Sequence, residues 1–320
     1  MEQLLHHASH VQAVHPSAAW YQLSPSQPLT AAETTNHLYG AASYALVQPA
    51  SVALWARTLL ANRGVRTGAE WAELVARYNS GTCDNQWMIV DHKLFTAGAA
   101  TLTPGLLTVS EQVPGAFVTR DMTPHLQGQS YWSSFNIPAL TFALSGSAAC
   151  QSPLGGYVCS YYENFRYKLF AALQGGVDGL AAMKRVLMYN EWQTDPLQKD
   201  AGFAIAARED LRPAKGDASG GSASGSASGP RAFGGIDGKI TADSWMKEGN
   251  LRVTAVAGPT TQTQAPFCWS GQWADQWPKG QPRCFDFPWV NFDAKATGEA
   301  QRRADKGSEP DHGRVRIALE

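Results

Sequence analysis

Neither a long apolar run nor a surplus of charge is present in this sequence. No apolar stretch approaches the roughly 20 residues that a helix needs to span a bilayer. Charged residues make up 17% of the chain and the net charge is −1, which excludes the concentrated positive field of a nucleic-acid-binding surface. The sequence therefore predicts a globular protein with no transmembrane segment and no nucleic-acid partner.

Export signals are missing as well. The first residues, MEQLLHHASHVQAVHP, lack the basic start, the apolar core and the small-residue cleavage site of a signal peptide. The sequence contains no Asn-x-Ser/Thr site for N-glycosylation. As written, the chain is expected to start in the cytoplasm.

Motifs for cofactors, metals and serine hydrolases are not found. The Walker phosphate loop, the Gly-x-Ser-x-Gly nucleophile elbow and the His-Glu-x-x-His zinc motif do not occur. His6, His7 and His10 resemble a metal cluster, but no acidic ligand accompanies them, so they are interpreted as a solvated leader. The sequence indicates neither a metal nor an organic cofactor.

The five cysteines leave two interpretations open. Cys150 and Cys159 flank one short loop, while Cys268 and Cys284 flank a longer loop rich in Trp, Gly and Pro. Either pair could close a disulfide in an oxidising compartment, which would leave Cys83 over. Alternatively, all the cysteines are buried or free thiols.

Cys83 is also a candidate nucleophile, because Asp91 and His92 follow it in sequence. These two partners are predicted to point to opposite faces of one strand. Their separation from Cys83 in sequence does not ensure that His92 lies within hydrogen-bond distance of the thiol, as a Cys–His pair requires. A catalytic role for Cys83 is therefore not expected.

Three helices are predicted from apolar residues at helical spacing. They cover residues 51–64, 67–78 and 177–192. The first ends on glycine, as helices commonly do. The second opens with Thr67 and with Glu70 three residues later, which is the pattern of a capping box.

Strands are predicted between and after these helices. A mostly buried strand is expected over 86–95, and strand-like structure over 234–245. The segments 105–113 and 115–123 are separated by Pro114–Gly115, a turn signature, so they predict a β-hairpin. Helices between antiparallel strands indicate a layered α+β domain.

Two polar residues lie within otherwise apolar segments. Asn136 occurs in YWSSFNIPAL and Arg208 in AIAAREDL. A buried Asn or Arg must find hydrogen-bond partners, and an active site is one place where it does. The alternative is a satisfied structural hydrogen bond, and the residues alone leave both interpretations open.

Seven segments, in this order, resemble the phospholipase B-like proteins. They are YNSGTCDNQWMIVDHKLF, LLTVSEQVPG, YWSSFNIPAL, LMYNEWQTDPL, AIAAREDLRPAKG, FGGIDGKIT and APFCWS. Upstream, LTAAETT and VQPASVALWARTLLANR continue the match, so the resemblance covers residues 29–293, including a Gly/Ser-rich insert at 216–230. Residues 1–28 form an unmatched lead-in, and residues 294–320 form a charged tail that is expected to be disordered.

The resemblance implies a fold and an activity. The family is a branch of the N-terminal-nucleophile hydrolases, whose fold is an αββα sandwich of two antiparallel sheets between helix layers. A precursor of this kind cuts itself to expose an N-terminal cysteine, whose thiol attacks an ester or amide carbonyl. Members are lysosomal or secreted proteins that are proposed to remove fatty acyl chains from phospholipids, and amidase activity is the competing proposal.

Pocket residues are implied by the same resemblance. Asn136 resembles an Asn-x-Pro position that lines the pocket of related cysteine amidases, and Arg208 resembles their pocket arginine. Asn79, Asn85 and Trp87 belong to the longest shared motif, so they are candidates for the pocket side of the core.

One departure from the family pattern matters for function. The family's nucleophilic cysteine lies upstream of every motif found in this sequence. We therefore expect a chain that lacks its nucleophile, with an incomplete sandwich that exposes a sheet edge and an apolar face. The first hypothesis is the C-terminal portion of a phospholipid or acyl-amide hydrolase whose nucleophile comes from an upstream chain. The alternatives are an inactive remnant that binds lipid or protein, and an amidase of the same superfamily.

Overall fold

The computed structural model describes residues 21–22, 28–142, 144–145, 160–198, 200–214, 229–235, 237–247 and 252–293. The strands in chain order are β1 (Tyr21–Gln22), β2 (Leu29–Thr35), β3 (Asn85–Asp91), β4 (Leu107–Val113), β5 (Ala116–Asp121), β6 (Asp237–Ile240), β7 (Arg252–Ala257), β8 (Phe267–Cys268), β9 (Cys284–Phe285) and β10 (Val290–Asp293). The helices are α1 (Leu54–Gly64), α2 (Gly68–Ala76), α3 (Thr123–Gln129), α4 (Phe165–Leu173), α5 (Leu180–Leu187) and α6 (Asp243–Lys247). Short 3-10 turns connect several of them.

The central sheet is antiparallel and has the order β1–β2–β3–β4–β5. The predicted hairpin is confirmed, since β4 and β5 pair Val113 with Ala116. Gly115 takes a φ of 77° in the turn, a conformation that glycine adopts without strain. The predicted strand over 86–95 is shorter than expected. It ends at Asp91, whose carboxylate accepts the backbone N–H of Lys93 at 3.1 Å and starts a 3-10 turn.

Helices α1 and α2, both predicted, cover one face of this sheet. The Thr67 hydroxyl accepts the Glu70 N–H at 3.2 Å, as expected of an N-cap. The Glu70 carboxylate accepts the N–H of Arg66 instead of that of Thr67, so the reciprocal half of the capping box is displaced by one residue. The apolar side chains between helices and sheet are Leu29, Ala31, Leu54, Ala61, Val65, Trp71, Val75, Trp87 and Ile89.

The opposite face of the sheet bears the larger core. Side chains of β2, β3 and β4 meet those of α4, α5 and β6 there, because alternate residues of a strand point to opposite faces. Buried members of this core include Ala32, Met88, Val90, Val109, Trp132, Phe135, Tyr161, Leu169, Met183 and Ile240. The central sheet is therefore covered on both faces, with polar residues enclosed near its Thr35 end.

Two smaller antiparallel sheets complete the described chain, β10–β7–β6 and β8–β9. A disulfide between Cys268 and Cys284 joins β8 to β9, so one of the two pairings that the sequence left open is formed. Cys150 and Cys159 lie outside the described residues. So do the tail 294–320, most of the lead-in 1–28 and most of the insert 216–230.

The mixed α and β class with antiparallel sheets is confirmed, but several elements differ from expectation. The helix expected over 177–192 begins only at Leu180 and ends at Leu187. The segment 234–245 holds the short strand β6 and then the first turn of α6. Sequence periodicity missed α3 and α4, although Asn164 caps α4 by accepting the Arg166 N–H at 2.9 Å. In the described part of the chain, no helix combines the length and hydrophobicity that a membrane crossing requires.

Candidate functional site

Two predicted site residues, Asn85 and Asn136, meet at Thr35, where β2 ends. The Asn136 amide donates to the Thr35 carbonyl oxygen at 2.8 Å. Asn85 pairs with Thr35 in the β2–β3 register, and with its amide oriented to satisfy both polar atoms it donates to the Thr35 hydroxyl at 3.3 Å. Asn136 has a φ of 69°, in the left-handed region that Asn tolerates better than most residues. We call Thr35, His37, Asn85, Asn136 and Arg166 the Thr35 corner.

Arg166, on α4, brings a positive charge to the Thr35 corner. Its Nη1 donates to the Asn136 amide oxygen at 3.2 Å, while Nε and Nη2 donate to the carbonyl oxygens of Ala204 and Gly202 at 2.9 and 2.8 Å. Desolvation lowers the pKa of Arg166 to about 10, and the Glu209 carboxylate opposes that shift. Among the described residues no carboxylate lies within ion-pair distance of this guanidinium. The corner can therefore attract an anionic group or a developing negative charge.

His37 gives the Thr35 corner a titratable group that solvent reaches. Its side chain is exposed, and its backbone N–H donates to the Asn136 carbonyl oxygen at 3.1 Å. Desolvation first, and the Arg166 charge second, lower the pKa of His37. Although the ring is partly desolvated, His37 keeps exposed surface, so solvent reaches it. At neutral pH the ring is uncharged and can accept a proton.

Tyr39 lies beside His37, with the ring centroids 5.9 Å apart. Desolvation raises the pKa of Tyr39 to about 12, against the opposing charge of Arg166. Its hydroxyl is enclosed and has no hydrogen-bond partner among the described residues. The phenol is therefore protonated at neutral pH.

A buried carboxylate, Glu111 on β4, fixes the segment that follows Asn136. Its Oε1 accepts from Gln86 Nε2 at 2.6 Å and from the Ala139 N–H at 2.7 Å. Its Oε2 accepts from the Leu140 N–H at 2.9 Å and from the N–H and hydroxyl of Thr141 at 2.6 and 2.8 Å. These five bonds satisfy a charge that burial would otherwise make costly. Glu111 therefore positions the loop that carries Asn136.

A second polar cluster lies on the helix-facing side of the sheet. Arg57 of α1 donates to Gln112 Oε1 at 3.0 Å, and Gln112 Nε2 reaches the Asp84 carboxylate at 3.5 Å. Desolvation raises the pKa of Asp84 to about 7, only partly offset by Gln112. Cys83 has an exposed thiol whose pKa is raised by desolvation and then by the charges of Asp84 and Glu33. A raised pKa is the opposite of what activates a cysteine nucleophile.

The other residues from the long shared motif lie away from the Thr35 corner. Asn79 donates to the carbonyl oxygens of Val113 and Ala116 at 3.0 Å each and accepts the Gly81 N–H at 2.8 Å. It thereby holds the β4–β5 turn. Trp87 is buried on the helix side, where its ring centroid lies 4.9 Å from that of Trp71. Their proposed pocket roles remain predictions.

Arg208 is almost fully buried, with 1% of its surface exposed. Its Nε and Nη2 donate to the two carboxylate oxygens of Asp210, each at 2.8 Å. Its Nη1 donates to the carbonyl oxygens of Thr260 and Ala265 at 2.7 and 3.0 Å. No hydrogen bond joins it to Asn136 among the described residues. Arg208 therefore clamps the loop 260–265 in this conformation, and its predicted pocket role stays untested.

His92 also has a definite place, remote from Cys83. Its Nε2 lies 2.8 Å from the Thr30 hydroxyl, and its Nδ1 lies 3.5 Å from the Asp243 carboxylate. Thr30 and His92 are both inaccessible to solvent. The order hydroxyl–imidazole–carboxylate resembles a catalytic triad, but no substrate can reach the hydroxyl. These contacts tie β2 to α6.

Sequence reasoning missed Arg166, His37 and Glu111. Arg166 follows the helix-capping Asn164, which was the available signal for a helix there. Glu111 occupies an inward position of a predicted strand, and an inward acid signals a buried polar contact. His37 carried no signal, because its place depends on the backbone of Asn136, far along the chain. Among the described residues, no three His, Cys, Asp or Glu side chains are grouped to hold a metal ion.

Comparison with known proteins gives one consistent family. The family model described as Phospholipase B matches residues 13–292. Phospholipase B-like protein B of Dictyostelium discoideum is 38% identical over 270 residues, which is 82% of this chain and 44% of that protein. Phospholipase B-like protein A of the same organism is 34% identical over 281 residues, or 87% of this chain and 47% of that protein.

A mammalian relative shows the same coverage. A phospholipase B-like 2 protein of Mus musculus is 38% identical over 253 residues, or 76% of this chain and 41% of that protein. The chain therefore spans less than half the length of each of these three relatives.

Proposed function

The chain belongs to the phospholipase B family, and on this premise we propose that it is part of an acyl hydrolase that removes fatty acyl chains from phospholipids. The observation that carries the proposal is the Asn136–Arg166 hydrogen bond beside the exposed His37. Ester hydrolysis develops negative charge on the carbonyl oxygen, and a preorganised cation or donor stabilises that charge. A phospholipid also brings a phosphate, which an arginine recognises well.

Three residues of the Thr35 corner are assigned a part in this reaction. Arg166 stabilises the negative charge, and Asn136 holds the guanidinium in place through its amide oxygen. His37, uncharged at neutral pH, relays a proton to the leaving glycerol oxygen or from the water that releases the fatty acid. The nucleophile forms a bond to the acyl carbon as the bond from that carbon to the glycerol oxygen breaks. Water then attacks the acyl carbon, which releases the fatty acid and frees the nucleophile.

We further propose that the nucleophile belongs to a segment of the protein outside residues 1–320. The relatives are more than twice as long as the matched region, which leaves room for it. The cysteine thiols that the structure describes offer little support for a local nucleophile, because the pKa of Cys83 is raised and Cys268 and Cys284 form a disulfide. The αββα sandwich is likewise a proposal, supported by the helix layer α1–α2 on one antiparallel sheet and by a second antiparallel sheet beyond the larger core.

An oxidising compartment, lysosomal or secretory, is proposed as the site of action. The Cys268–Cys284 disulfide supports it, because such bonds persist mainly outside the cytosol. Differential alkylation of the protein from its native source, with and without reductant, tests this proposal. If Cys268 and Cys284 are alkylated without reductant, the proposal is wrong.

The hydrolase proposal is tested on the full-length protein expressed from its native gene. Fatty acid release is measured from phosphatidylcholine and from an N-acyl amino acid. Removing a preorganised charge-stabilising donor lowers kcat about 100-fold, and loss of a general acid–base group lowers it by a similar factor. The kcat of Arg166→Gln and that of His37→Ala should therefore each fall about 100-fold or more. Arg120→Gln is the control, since Arg120 is exposed and, within the part of the chain that the structure describes, its side chain donates only to the Thr119 carbonyl.

Each outcome separates one hypothesis from the others. The proposal is supported if the wild type and Arg120→Gln hydrolyse phosphatidylcholine and His37→Ala does not. Turnover of the amide alone identifies an amidase instead. Binding of either substrate without turnover identifies a non-catalytic binding protein. Because His37 is exposed, its variant is expected to fold, so a normal rate in His37→Ala overturns its assigned role.

A further inference from the structure

Helix α1 directs large apolar side chains into solvent. Trp55 is 71% exposed, Leu60 is 60% exposed and Leu59 is 40% exposed. The opposite side of the helix, with Leu54, Thr58 and Ala61, is buried against the sheet. A helix that is apolar on both sides is expected to be covered on both sides. We call Val52, Trp55, Leu59 and Leu60 the α1 outer face.

The orientation of α1 is fixed, so its outer face cannot turn inward. Arg57 on the buried side donates to the Val52 carbonyl oxygen at 2.9 Å and to Gln112 at 3.0 Å, and it also bonds the Val75 carbonyl. Trp71 of α2 donates to Asn62 of α1 at 2.7 Å. Rotation of α1 would break these buried bonds, each of which is costly to leave unmade.

The charged residues of α1 and of the turn after it are all arginines. Arg63 lies eight positions after Trp55 on the same side of the helix, and Arg66 follows the helix end. Both are exposed, and no ion pair to either occurs among the described residues. The sequence from Thr34 to Ala69 contains no Asp or Glu.

We propose that the α1 outer face docks on an anionic phospholipid surface. Tryptophan and leucine side chains enter the boundary between headgroups and acyl chains, and arginines at its rim bind lipid phosphates. This inference rests on the proposed function, since a hydrolase of phospholipids must reach its substrate at a lipid surface. It adds the surface through which the protein does so.

A lipid suits this face better than further core strands of a sandwich would. The inner side of α1 already packs on the central sheet, so α1 lies in an outer layer. Additional strands of a sheet would extend or face the sheets and leave the outside of α1 uncovered. A second copy of the chain would place Arg63 and Arg66 near those of its partner, which is unfavourable.

The test is co-sedimentation of the full-length protein with vesicles. One preparation is equimolar phosphatidylserine and phosphatidylcholine, and the other is phosphatidylcholine alone. Trp55→Ser with Leu60→Ser should lower binding to the anionic vesicles at least about tenfold, because both side chains leave water on docking. Arg63→Gln with Arg66→Gln should lower binding to anionic vesicles and remove its salt dependence. The matched controls are Trp277→Ser and Arg120→Gln, which change exposed residues away from α1.

Binding that falls in the α1 variants and not in the controls supports the inference. Absence of vesicle binding, equal losses in the controls, or a concentration-dependent dimer that the α1 variants abolish would overturn it. A water-soluble short-chain phosphatidylcholine below its micelle concentration separates this inference from the proposed function. The α1 variants should hydrolyse it at the wild-type rate. Failure of the wild type on this substrate, with vesicle binding through α1 intact, contradicts the proposed function alone.

Discussion

The Nη1 atom of Arg166 lies 3.2 Å from the side-chain oxygen of Asn136, and this hydrogen bond joins α4 to the loop after α3. The amide nitrogen of Asn136 is bonded to Thr35 at the end of β2. One side chain thereby joins three parts of the chain that are remote in sequence. Loss of this side chain should affect both the geometry of the Thr35 corner and its activity.

Replacing Asn136 separates the role of its amide from that of its backbone. Asn136→Gly and Asn136→Ala both remove the amide, but alanine must also hold a φ of 69°. That conformation costs an L-residue with a Cβ about 1 kcal/mol or more relative to glycine. Urea denaturation should find Asn136→Ala less stable than Asn136→Gly by that amount, while both lose the same activity. Equal stability of the two variants would contradict the left-handed conformation.

The fold was more accessible from the sequence than the Thr35 corner was. Local pattern suffices for α1, α2 and the hairpin at Pro114–Gly115, because periodicity, capping and turn chemistry act between near neighbours. The role of Arg166 was missed because its contacts are with Asn136, Gly202 and Ala204, none of which is local.

Asn136 and Arg208 illustrate the same limit in a different way. Both were singled out as polar residues in apolar segments, and both proved to be buried and hydrogen-bonded. A polar residue within an apolar segment was thus a correct sign of a buried side chain that has hydrogen-bond partners. It could not predict that Asn136 borders solvent-exposed His37 while Arg208 is enclosed by Asp210 and a loop, since those partners come from tertiary packing.

Glu111→Gln should destabilise the protein strongly. Glutamine would keep one acceptor oxygen and turn an amide donor toward backbone N–H groups that now bond a carboxylate. Loss of charge-assisted bonds of this kind costs about 2 to 4 kcal/mol. Urea denaturation measures the effect, and Glu73→Gln is the control. Glu73 forms an exposed pair with Arg77, which is worth about 0.5 kcal/mol or less. Similar losses in both variants would show that the Glu111 contacts contribute little.

The raised pKa of Asp84 should make the protein less stable as pH rises. Desolvation raises the pKa of Asp84 to about 7 in the folded protein, from an ordinary value of about 4. Between these values the folded state holds a proton that the unfolded state has released, so stability falls as pH rises through this window. Asp84→Asn cannot ionise and should gain in melting temperature over the wild type between about pH 4 and about pH 8. The exposed Asp275→Asn control should show no such gain, and a constant difference for Asp84→Asn would refute the prediction.

Arg208 offers a choice between a structural role and a pocket role, and a pair of variants decides it. Arg208→Met leaves the Asp210 carboxylate enclosed without its partner, at a cost of about 3 to 5 kcal/mol. Adding Asp210→Leu removes the unpaired charge and should restore much of that stability, because the two residues form one unit. If Arg208 only clamps the loop 260–265, hydrolysis measured on the folded double variant should return with stability. If Arg208 binds substrate, the double variant should be stable but still impaired in hydrolysis, with a raised KM for an anionic substrate. The second result would require the loop to open and release Arg208, since the present conformation commits its guanidinium to Asp210, Thr260 and Ala265.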